Sequence, residues 1–183
     1  SVRRALSRSG ATCGLVIGPT TFPDPAGIQV HHVEPAAERL APCQAARPAD
    51  IAVCAAAGAD WRVANRQEAK VKKTDGTDVP DLKLTPNPDI LASLSAAGQG
   101  RPSLVIGFAA ETENVVENAV AKRKRKGCDW IIANDVSPVT GTFGGDRNSV
   151  HLIDGKEPES WPALEKSEVA DRLAARIAAT FKS

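Results

Sequence analysis

Lys122 and Lys126 stand four residues apart in the run Lys122-Arg123-Lys124-Arg125-Lys126, which closes a stretch that begins with acids at Glu111 and Glu113. A helix with acids first and cations last is favoured by its own macrodipole, and that alone accounts for the basic run. The four-residue spacing also places both ammonium groups on one helical face, where two cations can cradle phosphate oxygens. The helix lies between two apolar runs that stop abruptly at small and polar residues, Gly107-Phe108-Ala109-Ala110-Glu111-Thr112 and Ala133-Asn134-Asp135. In an open parallel sheet, ligands bind in the crevice outside the carboxyl ends of the strands. The pattern points to a polyanion held at strand ends, and nucleoside triphosphates are the class that fits.

A second candidate is the turn Cys54-Ala55-Ala56-Ala57-Gly58-Ala59-Asp60, which follows an apolar run and carries almost no side-chain bulk. Small residues let a ligand approach the backbone closely, and equally let a neighbouring helix pack tightly. On the first view Asp60 holds Mg2+ through water; on the second it begins a loop. There is no G-x-G-x-x-G and no Walker A pattern, so the common nucleotide fingerprints do not apply. Lys70-Val71-Lys72-Lys73 reads by itself as a solvated charge run. His31, His32 and His151 have neither metal-ligand spacing nor an identifiable serine or cysteine partner, so structural roles suit them and no metal-ligating set is expected.

The chain has 183 residues, 42% of them hydrophobic, enough for one sizeable core and one domain. Lys and Arg number 23 against 22 for Asp and Glu, a net charge of +1. No global positive field therefore argues for DNA or RNA, and no aromatic residue interleaves the cations at 122–126. The longest apolar stretch, residues 51–59, falls far below the ~18 residues that a membrane span needs. No signal-peptide pattern is visible. The four cysteines, Cys13, Cys43, Cys54 and Cys128, form no C-x-x-C pair and read as small hydrophobes in a reducing, cytoplasmic setting. Methionine is absent and the chain opens inside a helical pattern, as a piece of a longer protein would.

Periodicity and punctuation supply the elements that position these residues. Helices are predicted at 1–9 (ended by Gly10), 35–46 (opened by Pro35), 88–96 (with Asn87 as N-cap and Pro88 at N1), 113–126 and 167–181 (capped by Ser167). Strands are predicted at 12–17, 28–33, 50–57, 103–108, 130–133 and 150–153, the one at 50–57 fully buried. Residues 59–86 form a long charged excursion, with one short strand where Leu82 and Leu84 alternate with Lys83. Alternating strands and helices indicate an α/β fold: an open, mostly parallel, Rossmann-like sheet with helices on both faces.

Taken in order, Lys70-Val71-Lys72-Lys73, Leu82-Lys83-Leu84, Asn87-Pro88-Asp89-Ile90-Leu91, Gly107-Phe108-Ala109-Ala110-Glu111-Thr112, Lys126-Gly127-Cys128-Asp129 and Ala133-Asn134-Asp135-Val136 form a specific set. With them the chain resembles phosphopantothenoylcysteine synthetase, the ligase half of the bacterial bifunctional coenzyme A biosynthesis protein, over its whole length. The resemblance implies CTP-dependent joining of 4′-phosphopantothenate to L-cysteine through an acyl-cytidylate, with Mg2+ sharing the work. It implies that Cys54, Ala55, Ala56 and Asp60 contact the nucleotide and that Lys70 approaches its phosphates. Thr85, Pro86, Asn87 and Pro88 would line the cytosine pocket, Phe108 would pack in it, and Lys122 and Lys126 would grip the triphosphate. Lys70 and Lys122 would carry the catalytic charge stabilisation.

The same resemblance implies a homodimer, with parts of the excursion reaching the partner, and an upstream flavin-dependent decarboxylase domain whose FMN does not belong to this chain. The family's opening strand and its Asn-x-Ser-Ser-Gly loop have no counterpart after Ser1. The expectation is thus a single ligase domain over 1–183 that lacks this segment and by itself does not complete amide formation. Another class stays open: a non-catalytic nucleotide-binding or assembly module on the same fold. A dinucleotide-dependent oxidoreductase is disfavoured, because no Gly-rich fingerprint with a following acidic ribose ligand occurs.

Overall fold

Leu104-Val105-Ile106-Gly107 and Trp130-Ile131-Ile132-Ala133 are buried on both faces, and the sheet assembles around these two runs. A computed structural model of the chain describes residues 1–34, 38–55, 60–64, 82–96, 98–137 and 147–182. The elements in order are α1 Val2–Arg8, β1 Gly14–Ile17, β2 Gln29–His32, α2 Leu40–Ala45, β3 Ile51–Cys54, β4 Trp61–Val63, β5 Leu84–Pro86 and α3 Ile90–Ser95. They continue with β6 Leu104–Glu111, α4 Val115–Lys126, β7 Trp130–Asp135, β8 Arg147–Asn148, β9 Val150–Ile153, β10 Glu159–Ser160, β11 Leu164–Glu165 and α5 Lys166–Thr180.

The central sheet has the order β10-β9-β7-β6-β3, with β3, β6 and β7 parallel and β9 and β10 antiparallel. Side chains alternate between two cores, as the pleat requires. Leu104, Ile106, Trp130, Ile132 and Leu152 meet Val169, Leu173 and Ile177 of α5. Val105, Ala109, Ile131 and Ala133 meet Leu91 and Leu94 of α3 and Ala119 of α4 on the other face. The expected sheet with helices on both faces is borne out. β1 and β2 form a separate parallel pair, and β4 and β5 an antiparallel ribbon.

Several boundaries differ from the sequence reading, each for a physical reason. The strand at 50–57 is the shorter β3, half-buried rather than fully buried. Among the described residues it pairs only with β6, at the sheet edge. β6 and β7 run past their apolar residues to Glu111 and Asp135, because the parallel ladder between them continues that far. α3 is capped by Asp89, not Asn87: its carboxylate accepts the Ala92 N–H at 3.0 Å, while Asn87 Oδ1 accepts from Arg62 at 3.3 Å. α5 is capped by Glu165, not Ser167, through a reciprocal capping box with Glu168. α4 starts at Val115 after Asn114, a left-handed residue at φ 46°, which leaves Glu113 outside the helix. In the region expected as helix 35–46, α2 spans Leu40–Ala45, and residues 35–37 lie outside the described residues.

Candidate functional site

The site is built at the carboxyl ends of β3 and β6, where Cys54 stands opposite Gly107 and Phe108 follows. α4 returns from there across the sheet and presents its basic face. Its seat is fixed at the far end: Gly127, at φ 67°, terminates the helix with its N–H on the Arg123 carbonyl. Arg123 Nε donates to the Asp129 carbonyl at 2.6 Å, and the Asp129 carboxylate accepts Arg101 at 2.9 Å and the Val105 N–H at 2.7 Å. The strand start, the helix end and the turn between them are thereby one unit.

The five cations of α4 then separate by environment. Lys124 and Arg125 are exposed, whereas Lys122 and Lys126 are half-buried on one face. Lys122 Nζ donates to the Phe108 carbonyl at 2.9 Å, at the rim of β6. Lys126 Nζ pairs with the Asp89 carboxylate. Asp89 directly follows the expected pocket segment Thr85–Pro88. That segment continues into the ribbon, where the Asn87 N–H bonds to the Asp60 carbonyl. Arg62 of β4 holds the segment from its other side, donating to the Pro86 carbonyl at 2.7 Å and to Asn87 Oδ1 at 3.3 Å. Contacts and direct succession thus join Asp60, Thr85, Pro86, Asn87, Pro88 and Lys126 into one group and Cys54, Ala55, Phe108 and Lys122 into another, and the two lysines of α4 bring one member of each group onto one helical face. Lys70 and Ala56 lie outside the described residues.

Burial pushes the Cys54 thiol up to about 12, with Cys43, Cys128 and Asp89 nearby adding to the effect. The thiol stays protonated, in keeping with the reading of the cysteines as small hydrophobes. The Phe108 ring packs against the core on the α5 face, so its backbone carbonyl, not its ring, meets Lys122. Two histidines have partners that the sequence reading did not find. His151 Nδ1 lies 2.9 Å from Ser160 Oγ across the β9–β10 pair, and His32 Nε2 lies 2.9 Å from Asp24 Oδ1. Asp89 and Arg62 were also missed as site residues. The signal for Asp89 was present in Asn87-Pro88-Asp89, which offers two capping residues, but Arg62 occupies Asn87 Oδ1 and leaves Asp89 the cap. Among the described residues no three His, Cys, Asp or Glu side chains gather closely enough to hold a metal ion.

Fold and site together define an α/β domain with a mostly parallel sheet and two half-buried lysines on one face of α4. The chain belongs to the DNA/pantothenate metabolism flavoprotein C-terminal domain family, which it matches over residues 1–181. It is 39% identical over 176 residues to the coenzyme A biosynthesis bifunctional protein CoaBC of Escherichia coli strain K12, covering 94% of this chain and 43% of that protein. It is 35% identical over 176 residues to a cysteine/cysteine sulfinic acid decarboxylase of an unidentified prokaryote, covering 94% of this chain and 48% of that protein. Among solved structures it is similar to the C-terminal domain of CoaBC, at TM-score 0.75 and 29% identity, covering 99% of this chain and 82% of that one. The family resemblance drawn from the motifs is borne out. The chain spans less than half the length of these two curated relatives. Among the described residues, no helix is long and apolar enough to cross a membrane.

Proposed function

We propose that this domain is a CTP-dependent ligase that joins 4′-phosphopantothenate to L-cysteine. The carboxylate of 4′-phosphopantothenate attacks the α-phosphorus of CTP, pyrophosphate leaves, and an acyl-cytidylate forms. The cysteine amine then attacks the acyl carbon, CMP departs with its electron pair, and an amide results. The observation that carries this reading is the pairing of Lys122 and Lys126 on the half-buried face of α4. One is tied to the rim of β6 and the other to the residue that follows the Thr85–Pro88 segment. Positive charge fixed in advance where pyrophosphate charge develops is what phosphoryl displacement demands. Cys54, Ala55 and Asp60 border the nucleotide on the β3 side and Thr85 to Pro88 on the base side; Phe108 contributes through its backbone carbonyl, which holds Lys122, and the family resemblance adds Ala56 and Lys70.

Asp60 is exposed and the described residues form no carboxylate cage, so a Mg2+ arriving with CTP would be held mainly by phosphates and water. FMN chemistry belongs to an upstream decarboxylase domain, and we place the protein in the cytoplasm. A homodimer is the proposed assembly, supported by the exposed apolar residues Trp61, Val63 and Leu84 of the β4–β5 ribbon.

The test is calorimetry with CTP, ATP and GTP in Mg2+, followed by detection of acyl-cytidylate with 4′-phosphopantothenate. Preferential CTP binding with formation of the intermediate supports the ligase; absence of CTP binding overturns it. A non-catalytic nucleotide-binding or assembly module on the same fold is the second reading, since the lysine contacts would serve nucleotide binding without catalysis equally well. CTP binding without intermediate, in this chain and in one extended upstream, would select it.

A further inference from the structure

Lys126 does not reach the site unaided. Its ammonium group is held by Asp89, and Asp89 is itself held, because its other carboxylate oxygen accepts the Ala92 N–H at 3.0 Å as the cap of α3. The carboxylate thus cannot swing without uncapping the helix. A lysine side chain left to itself samples many rotamers and loses that freedom when it grips a ligand. Lys122 meets the same need differently, through the neutral Phe108 carbonyl at 2.9 Å. An ammonium group has three donors. One is used in each lysine by these protein contacts, which leaves two on each for ligand oxygens. The acid nearest along the same turn, Asp129, is engaged with Arg101 and the Val105 N–H.

We infer that Asp89 is a positioning residue for nucleotide binding: it acts through Lys126, fixing that ammonium group beside the Thr85–Pro88 segment before the triphosphate arrives. The inference rests on the proposed function, in which Lys126 meets the triphosphate. A carboxylate near a polyanion also repels it, so the claim requires that fixing Lys126 outweigh that repulsion. The sign of the effect decides between them.

Asp89→Asn keeps a competent helix cap and removes the charge; Asp89→Ser is a second capping variant. Calorimetry with Mg·CTP is to be run on the wild-type chain, Asp89→Asn, Asp89→Ser, Lys126→Gln and the Asp89→Asn/Lys126→Gln double variant. Both Asp89 variants are expected to bind CTP about three- to tenfold more weakly, the range set by immobilising one long side chain. In the Lys126→Gln background the Asp89→Asn change is expected to have no further effect. Equal or tighter binding by the single variants, or the same weakening in both backgrounds, overturns the inference and leaves the ligase reading intact. Wild-type affinity in Lys126→Gln removes Lys126 from the site and the inference with it. A wild-type chain that binds no CTP overturns both. A readout without nucleotide tests the pair directly: trace acetic anhydride should label Lys126 faster in Asp89→Asn than in wild type, with Lys124 unchanged. Equal rates at Lys126 would also overturn it.

Discussion

Lys122 and Lys124 carry the same charge two residues apart on α4, yet only Lys122 is half-buried and tethered to the rim of β6. The pair therefore separates a site effect from a general charge effect. Hydrogen bonds to charged groups contribute roughly 1.5–3 kcal/mol, so Lys122→Ala is expected to weaken CTP binding by roughly tenfold or more. Lys124→Ala should change it by about twofold at most, as exposed charges do. Equal losses in titration calorimetry would show that only the basic run as a whole matters. Asp89 sets a second expectation at this scale. Partial burial raises its carboxyl pKa, but the Ala92 N–H and Lys126 outweigh this and hold it below the ordinary 3.8. The folded state thus prefers the ionised form. Its contribution to stability is present above pH 3.8 and is lost as pH falls through the lower folded value. Asp89→Asn should accordingly show a shallower fall in stability below about pH 4, followed by urea unfolding at a series of acidic pH values. An unchanged slope would remove Asp89 from the acid response.

At the scale of elements, Gly107 governs how closely α3 approaches β6. A Cβ there would stand 2.5 Å from Leu91 Cδ2 and 2.8 Å from Ile131 Cδ1, both in the packed core. Gly107→Ala is expected to cost about 1–3 kcal/mol of stability by overpacking. Because Leu91 lies on the first turn of α3, the same change should shift Asp89 and weaken CTP binding. Urea unfolding and calorimetry read the two effects, and a variant as stable as wild type would mean the core yields freely. These elements were not equally legible in the sequence. β6, β7, α4 and α5 could be read because each carries its own period, although only α4 ends on the local signal expected, Gly127, and the strand ends were set by the ladder between β6 and β7. The β4–β5 ribbon was half seen: Leu84 alternates with its neighbours, but Trp61–Val63 shows no strand pattern without its partner across the ribbon. The cap of α3 was misread because Asn87 and Asp89 are equal candidates until Arg62 claims Asn87 Oδ1. The lysine pair was legible from spacing alone, whereas the acid that holds Lys126 lies 37 residues away along the chain. Long-range pairing is what a local reading leaves out.

At the scale of the molecule, the ribbon joins the site to the surface that would meet a second copy. Trp61 lies opposite Pro86 and Val63 opposite Leu84, so these four share one face of the ribbon, and Arg62 projects from the other to hold Pro86 and Asn87. Trp61 is 60% exposed and Leu84 58% exposed. A two-stranded ribbon is marginal in water by itself, and a contiguous exposed apolar face marks a place where another protein packs. If a second copy of the chain covers that face, Trp61→Asp and Leu84→Lys should convert a dimer to a monomer in light scattering without unfolding the central sheet, since both residues are exposed and their strands pair with each other in a separate sheet. The consequence should reach the nucleotide. Arg62 and the Asp60–Asn87 hydrogen bond couple the ribbon to the Thr85–Pro88 segment, so releasing the ribbon loosens the segment that precedes Asp89. The monomeric variants are therefore expected to bind CTP more weakly although both substitutions lie on the ribbon face opposite Arg62. A wild-type chain that stays monomeric at tens of micromolar, or monomeric variants with undiminished CTP affinity, would separate the ribbon from the site and leave its apolar face to some other partner.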